Sequence, residues 1–358
     1  MYPPSLRPIV PWLQDPNISE IMINGPSSVW LESHGKLQQV ESPFKSRDQL
    51  IAMIDTMVTN TGRQVTMSRP FVDFRLDDGS RVNVVIPPIA LDGPVITIRK
   101  MGRSIQTMDD LVKMGTLSER MAYVLYAAIR SKVNIVFSGG SGTGKTTTLA
   151  MVSTYISESE RIIVIEDTAE LELKQRHVVR MECRPPNMEG HGAVDQAELL
   201  RNALRMRPTR IIVGEVRGSE AVEMLQAMTS GHDGCLAVLH ASTPEHAVSR
   251  LEMLILSRGL PLPLWGIQRQ IATGVDLIVQ MAMHKDGVRR VTHITEVAGS
   301  DGGSVVLNDL HTFVHEGIDE HGRVRGHFQA SGIKPSWLDR ITDLKPKVVE
   351  RLFREGRD

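Results

Sequence analysis

Residues 137–149 read FSGGSGTGKTTTL and follow the strand-like run VNIV at residues 133–136. This stretch meets every position of the phosphate-loop pattern G-x-x-x-x-G-K-[ST]. Glycines let successive backbone N–H groups converge on phosphate oxygens, while a lysine and a helix N-terminus add positive charge. The sequence therefore predicts a strand, a loop that binds a nucleoside triphosphate, and a helix. Nucleotide contacts are expected from Gly139, Gly140, Ser141, Gly142, Thr143, Gly144, Lys145, Thr146 and Thr147.

The length and charge of the chain limit the classes of protein to consider. Its 358 residues are too many for one compact core and predict two domains. A formal net charge of −1 gives no basic surplus for nucleic acid, and aromatic residues, at 4%, are too few for base-stacking platforms. We therefore expect no direct nucleic-acid partner.

The sequence predicts neither secretion nor membrane insertion. The stretch MYPPSLRPIVPW lacks the apolar segment of a signal peptide. All apolar runs end well short of the roughly 18 residues that span a bilayer. The two cysteines, Cys183 and Cys235, have no CxxC spacing, so zinc and disulfide frameworks are poor interpretations. We expect a cytoplasmic protein.

Residues 1–100 are predicted to form a small α+β domain. The predicted elements are strands at 21–23, 29–31, 71–76, 81–86 and 95–99 and a helix at 47–60. The turn DDGS at 77–80 makes the strands on either side of it a hairpin. Residues 101–117 are predicted to be a linker, within which Thr107 caps a short helix.

Residues 118–358 alternate between strand and helix patterns around and after the phosphate loop. The predicted strands lie at 161–166, 210–214, 235–239, 276–280 and 288–296, and the predicted helices at 195–206, 219–228 and 244–256. Such alternation is typical of an α/β domain. We therefore predict a P-loop domain, in which a mostly parallel sheet is flanked by helices, preceded by the small α+β domain.

Two acidic clusters follow strand-like runs downstream of the loop. RIIVIEDTAEL places Glu166, Asp167 and Glu170 after one run, and RIIVGEVRG places Glu215 after another. Triphosphate hydrolysis needs an acid that organises Mg²⁺ and a group that orients or deprotonates water. In parallel sheets such groups lie at the carboxyl ends of strands. Thr146 is the expected hydroxyl ligand of Mg²⁺, whereas spacing alone leaves open which acid binds the metal.

Histidines and arginines supply further candidates. His232 and His240 bracket a strand in GHDGCLAVLHAS. A neutral imidazole can report the γ-phosphate through a hydrogen bond; a helix cap and an ordinary polar contact are the alternatives. The five arginines between residues 201 and 217 predict a solvated or salt-bridged surface, or an arginine supplied to a neighbouring subunit's nucleotide. Arg217 is the best placed for that second role.

Several motifs resemble one family. SGGSGTGKTTTL, IEDTAEL, RPPNMEG, RNALRMRPTRIIVGEVRG, MTSGHDGCLAVLHAS and RRVTHITEV occur in this order. Together they resemble the ATPases of the type II/type IV secretion superfamily. The closest resemblance is to the CpaF-like ATPases of tight-adherence (Flp) pilus assembly, because RPPNMEG and SRLEMLI are more specific to that group than the phosphate loop is.

The resemblance implies roles for individual residues. It implies a RecA-like P-loop ATPase domain that binds ATP and Mg²⁺. Glu170 would be the catalytic acid, Glu215 the Walker B acid that binds Mg²⁺ through the nucleotide, and His232 and His240 the histidine box. Because the family's nucleotide lies between the two domains, Arg99 at the end of the last N-terminal strand is expected to contact the triphosphate.

The same resemblance implies partners. It predicts a homo-hexamer docked on a polytopic inner-membrane platform protein, and therefore a protein that meets the inner membrane through its partners. The expected function is an ATP-hydrolysing motor for pilus subunit assembly or protein secretion. Two alternatives are a conjugation-type ATPase and a nucleotide-regulated scaffold without hydrolysis. Lys145, Glu170 and Glu215 are all present and favour the motor over the scaffold.

Overall fold

The computed structural model describes residues 3–33, 36–59, 61, 63–100, 107–187 and 189–358. The chain forms two compact units, 1–106 and 107–358. Of the predicted linker, residues 101–106 lie outside the described residues, and the remainder belongs to the second unit. The Thr107 side chain accepts a hydrogen bond from the Asp110 N–H at 3.2 Å, as expected for the cap of a short helix.

The first unit is a small α+β structure. In chain order its described elements are the 3-10 helix Pro4–Ile9, α1 Val10–Gln14, β1 Ile18–Asn24, β2 Val29–Ser33, β3 Lys36–Val40, α2 Arg47–Thr59, β4 Phe71–Arg75, β5 Arg81–Val85 and β6 Val95–Arg99. The strands form one antiparallel sheet in the order β3-β2-β1-β6-β5-β4. The predicted helix and hairpin are confirmed close to their predicted bounds.

The helical segment at residues 4–14 was not predicted. Pro4 and Pro11 stand in the first turns of the 3-10 helix and α1, where a missing N–H costs no helical hydrogen bond. Leu6, Ile9 and Leu13 of this segment are buried in the core of the first unit. The prolines therefore start helices here instead of preventing them.

The second unit contains one large sheet with helices packed against it. Its described elements begin with α3 Met108–Lys113, α4 Glu119–Arg130, β7 Ile135–Gly139, α5 Lys145–Ser153, β8 Ile162–Glu166, β9 Val178–Glu182, α6 Gln196–Ala203, β10 Arg210–Val216, α7 Glu220–Thr229 and β11 Leu236–Leu239. They continue with α8 Pro244–Leu256, α9 Leu264–Gly274, β12 Leu277–Met283, β13 Arg289–Asp301, β14 Ser304–Ile318, β15 Val324–Ala330, the 3-10 helix Leu338–Arg340, α10 Pro346–Leu352 and β16 Gly356–Arg357.

The sheet is parallel in one half and antiparallel in the other. Its order is β16-β15-β14-β13-β12-β7-β11-β10-β8-β9. The strands from β12 to β9 run parallel, as predicted, and those from β13 to β16 run antiparallel. The sequence did not predict β9, β14 and β15, because their residues are mostly half-buried or exposed and so lack a continuous apolar run.

The central strand β7 is held by the side chain of Asn134, the residue before it. Its Oδ1 atom accepts hydrogen bonds from two backbone N–H groups, and its Nδ2 atom donates to two carbonyl oxygens. The backbone partners are Met228, Gly234, Cys235 and Gly274. Because all four contacts are buried, this amide fixes β7 relative to β11, α7 and α9.

Arg210 at the start of β10 is buried and structural. Its Nε atom lies 2.7 Å from Glu160 Oε2, and its other nitrogens donate to the carbonyl oxygens of Ile129 and Gly234. A Cβ atom on Gly234 would lie 2.1 Å from Arg210 Nη1, so the glycine makes room for the guanidinium. Of the two roles predicted for the arginine cluster, Arg210 has the salt-bridged one.

We predict that Arg210→Met destabilises the protein. The change removes the cation that is hydrogen-bonded to the Glu160 carboxylate and takes one donor from each of two buried carbonyl oxygens, and breaking such a pair costs about 3–5 kcal/mol. The free energy of unfolding is measured by urea titration with circular dichroism. Arg205→Met, at an exposed arginine, is the matched control and should change stability by less than about 0.5 kcal/mol. Equal effects of the two changes would contradict the structural role.

Candidate nucleotide-binding site

The loop between β7 and α5 has the backbone geometry of a phosphate cradle. Gly142 and Gly144 have φ angles of +70° and +93°, which favour glycine, and Gly144 is the N-cap of α5. A Cβ atom on Gly139 would lie 2.6 Å from both the Met281 carbonyl oxygen and Thr143 Oγ1, so only glycine fits there. The predicted strand, loop and helix are confirmed by β7 and α5.

Lys145 is the first residue of α5 and is buried. Its Nζ atom donates to the Gly140 carbonyl oxygen at 2.6 Å, and Thr143 Oγ1 donates to the same oxygen at 3.0 Å. The ammonium therefore lies over the loop, at the positive end of the α5 dipole. The N–H groups at the start of this helix, together with the charge, suit phosphate oxygens. The residues present fit a nucleoside phosphate.

Glu215 lies at an irregularity of β10. The pairing of β10 with β11 runs from Val213 opposite Ala237 to Val216 opposite Leu239, so β10 uses one residue more than β11. A bulge of this kind redirects side chains and is frequent beside active sites. Here it lies at the carboxyl end of β10, the edge of the sheet at which β7 leads into the phosphate loop.

Glu215 is the centre of a charged cluster. Its Oε2 atom lies 2.7 Å from Arg217 Nη2, and its Oε1 atom lies 3.1 Å from His240 Nε2. Burial alone would raise the pKa of Glu215, but the hydrogen bond from Arg217 and the charges of Arg217 and Lys145 hold that pKa below its ordinary value. Glu215 is therefore a carboxylate at neutral pH, the form that binds Mg²⁺.

The two predicted histidines lie at opposite ends of β11. His240 follows the strand and reaches Glu215, whereas His232 precedes the strand, with its Nδ1 atom 3.3 Å from Ser230 Oγ. Burial lowers the pKa of His240, and the Lys145 charge lowers it further, so the imidazole is neutral at pH 7. Within one chain the structure brings His240 to the phosphate loop and leaves His232 at the other edge of the sheet.

The acids at the end of β8 differ in burial: Glu166, the last residue of the strand, is buried, whereas Glu170 is half-buried. Glu166 is buried, and its Oε1 atom accepts the backbone N–H groups of Glu170 at 2.8 Å and Leu171 at 3.0 Å. Burial raises the pKa of Glu166. A Cβ atom on Gly214 would lie 2.5 Å from Glu166 Cγ, so the glycine before Glu215 admits this side chain. Glu166 thus holds the backbone that carries Glu170.

Arg217 pairs with acids of its own chain. Besides Glu215, its guanidinium lies 3.4 Å from Asp167 Oδ2, so it connects the acidic clusters after β8 and β10. Arg201 pairs instead with Glu223, Nη1 to Oε1 at 2.6 Å. In the described structure these two arginines of the cluster therefore have salt-bridged roles.

Arg99 belongs to a row of arginines on the sheet of the first unit. Arg75, Arg81 and Arg99 are direct partners on β4, β5 and β6. Arg99 Nε lies 3.6 Å from Glu20 Oε1, and Arg99 is half-exposed. The Nε and Nη2 atoms of Arg75 are buried without a hydrogen-bond partner in the described part of the chain. The sequence pointed only to Arg99. Arg75 and Arg81 join it through the pairing register of β4, β5 and β6, which the local sequence does not show.

Two residues of the second unit were missed as well. Arg289 Nε donates to the carbonyl oxygen of Gly142 in the phosphate loop at 2.7 Å. Gln280 is buried on β12 and donates to the carbonyl oxygen of Ala241, the residue after His240, at 3.2 Å. Neither residue belongs to the phosphate-loop pattern. Only the order of the strands, which places β12 beside β7, brings them to the site.

Within the described ranges, no helix is both long and apolar enough to cross a bilayer. The same ranges hold no group of three or more His, Cys, Asp or Glu side chains arranged for a metal ion. A magnesium ion bound by one carboxylate together with nucleotide phosphates needs no such group.

A phosphate loop that follows the central strand of a parallel sheet defines the P-loop class of nucleotide-binding proteins. The chain is a member of that class. The family model for type II/IV secretion system proteins matches residues 4–302. The chain therefore belongs to the type II/IV secretion system protein family.

Individual relatives agree with this assignment. The type IV secretion system protein VirB11 of Brucella suis is 32% identical over 321 aligned residues, which cover 82% of this chain and 88% of VirB11. The conjugal transfer protein TrbB of Rhizobium radiobacter is 32% identical over 290 residues, covering 79% and 85% of the two chains. The pilus retraction motor PilT with bound ADP has a similar fold, with a TM-score of 0.55 at 21% identity over 86% of this chain and 82% of PilT.

Proposed function

We propose that the protein is an ATP-hydrolysing motor of a secretion system. One observation carries the proposal: Glu215 Oε1 lies 3.1 Å from His240 Nε2 at the edge of the sheet that holds the phosphate loop, where the Lys145 charge lowers the pKa of both groups. A nucleotide-binding scaffold needs only the loop, whereas hydrolysis also needs an acid that organises Mg²⁺ and a group that orients or deprotonates water. The proposed reaction converts ATP and water into ADP and phosphate.

Each residue has a proposed part in this reaction. Thr146 and Glu215 would hold Mg²⁺, which would supply positive charge against the β- and γ-phosphates. Lys145 neutralises further charge on the same phosphates. Water attacks the γ-phosphorus, the bond to the β–γ bridging oxygen breaks, and Glu170 accepts the proton of the water. The two N–H bonds that Glu166 accepts support this role, because they fix the backbone of Glu170.

The motor is proposed to act as a homo-hexamer on a polytopic inner-membrane platform protein. The motifs RPPNMEG and SRLEMLI support pilus assembly of the tight-adherence type. A conjugation-type ATPase is the second candidate, because VirB11 and TrbB carry the names of type IV secretion and conjugal transfer. The near-neutral charge of the chain favours a protein substrate over DNA.

We predict that the protein hydrolyses ATP and that Lys145→Ala abolishes measurable turnover. Phosphoryl transfer depends on the charge that this ammonium neutralises, whereas the backbone N–H groups of the loop still bind nucleotide. Phosphate release is measured with and without single-stranded DNA. We expect DNA to leave the rate unchanged, since a protein-assembly motor has no use for it.

Two outcomes would contradict this proposal. Turnover by Lys145→Ala within about threefold of the parent rate would remove the loop from catalysis. Strong stimulation by single-stranded DNA would favour the conjugation-type alternative over pilus assembly.

We predict different effects for the two acids after β8. Glu170→Gln keeps the shape but removes the base, so hydrolysis should fall about 10²–10⁴-fold with ATP binding retained. Glu166→Gln keeps an oxygen that can accept the same two N–H groups, so its effect should be much smaller. Single-turnover hydrolysis and nucleotide titration measure both variants. Equal losses of rate would overturn the assignment.

We also propose that Arg99, whose side chain is half-exposed, contacts the triphosphate, because the resemblance to secretion ATPases implies a nucleotide near the end of the last N-terminal strand. Arg99→Ala should weaken ATP binding by about 1.5–3 kcal/mol, the range for hydrogen bonds to charged groups. Arg99→Lys should recover only part of the loss, because lysine lacks the planar fork of donors. ADP binding should change less if the γ-phosphate is the partner. Titration with fluorescent ATP and ADP analogues decides this, and unchanged ATP affinity in Arg99→Ala would refute the contact.

A further inference from the structure

Arg289 contacts the phosphate loop at two of its glycines, Gly142 and Gly144. Its Nε atom donates to the Gly142 carbonyl oxygen at 2.7 Å. Its Cδ atom would lie 3.3 Å from a Cβ atom on Gly144, so the side-chain stem packs against that residue. A long side chain from a strand after the loop in sequence thus covers the segment of the loop that leads into α5.

The strand that carries Arg289 is fixed next to the loop. β12 pairs with β7, placing Met281 opposite Gly139, and β13 pairs with β12, placing Arg289 opposite Met283. The Met281 carbonyl oxygen is one of the atoms that leave no room for a side chain on Gly139. The end of β12 and the start of β13 together therefore form one wall of the phosphate loop.

The turn between β12 and β13 is itself held rigidly. Arg290, the next residue, lies 3.0 Å from Asp286 Oδ2 and 5.1 Å from the centre of the Phe313 ring on β14. Asp286 also accepts the backbone N–H groups of Val288 at 3.0 Å and of Val324 on β15 at 3.0 Å. Arg289 directly follows this turn, and the turn contacts the antiparallel half of the sheet.

We propose that Arg289 is a positioning residue for the nucleotide phosphates, an inference that rests on the proposed nucleotide site. In a trans peptide the carbonyl oxygen and the following N–H point in opposite directions. By holding the Gly142 oxygen, Arg289 aims the Thr143 N–H away from itself and into the loop. Arg289 acts through the loop backbone, and it connects the nucleotide to the β13–β15 part of the sheet.

The position of the contact predicts which constants change. The phosphate loop serves phosphates that ADP and ATP share, so Arg289→Ala should raise the Kd of fluorescent ADP and ATP analogues equally, by about tenfold. The KM for ATP should rise in parallel, whereas kcat should stay within about threefold because the hydrolytic groups remain. Arg99→Ala should instead act mainly on ATP. Arg289→Lys should recover part of the affinity, because its ammonium can still donate to the Gly142 oxygen.

The control is Arg325→Ala, at an exposed arginine on β15. It should leave the Kd of ADP, the Kd of ATP, the KM for ATP and kcat unchanged. Thermal unfolding of each variant separates a loss of fold from a loss of positioning; if Arg289→Ala does not fold, Arg289→Lys is expected to raise both Kd values about threefold. Unchanged Kd values in the folded variants would overturn the proposal. A parent protein that binds ADP without hydrolysing ATP would refute the motor alone, because the two Kd values still decide the role of Arg289.

Discussion

The site depends on how tightly the central strand β7 is held at its two ends. At the amino end the buried Asn134 amide makes four backbone hydrogen bonds. At the carboxyl end Gly139 lies so close to the Met281 carbonyl oxygen that no side chain fits. The phosphate loop begins where this strand stops, so its position is set by contacts with both neighbouring strands. A loop built on such a strand has little freedom to collapse onto itself.

Charge compensation explains why acids and bases can gather at this edge. Glu215 is partly buried, yet Arg217 and Lys145 keep it ionised. Burial, together with the charges of Lys145 and Arg217, lowers the pKa of His240 and keeps it neutral, so the cluster holds an anion and an uncharged imidazole side by side. Because each group fixes the protonation state of another, removing one of them alters the rest, and single substitutions here are not expected to be additive.

One short motif serves both the fold and the site. In GHDGCLAVLHAS, Gly234 makes room for the buried Arg210, whereas His240 reaches Glu215. His232, eight positions before His240 in the printed sequence, lies at the other end of β11 because a strand carries its two ends to opposite edges of the sheet. The spacing of the two histidines made them look like a pair, but strand direction separates them within one chain.

The sequence alone determined the phosphate loop, the parallel strands that feed the site and the acids that follow them, because these depend on local patterns of glycine and apolar residues. It left β9, β14 and β15 undetected, since partly exposed strands have no continuous apolar run. Spacing alone could not divide Glu166 from Glu170, because their difference in burial and the two backbone hydrogen bonds that Glu166 accepts belong to the folded chain. Only the tertiary structure brought Arg289 to Gly142, 147 residues apart in the chain, because strand order and register decide such contacts, and neither is written in the local sequence.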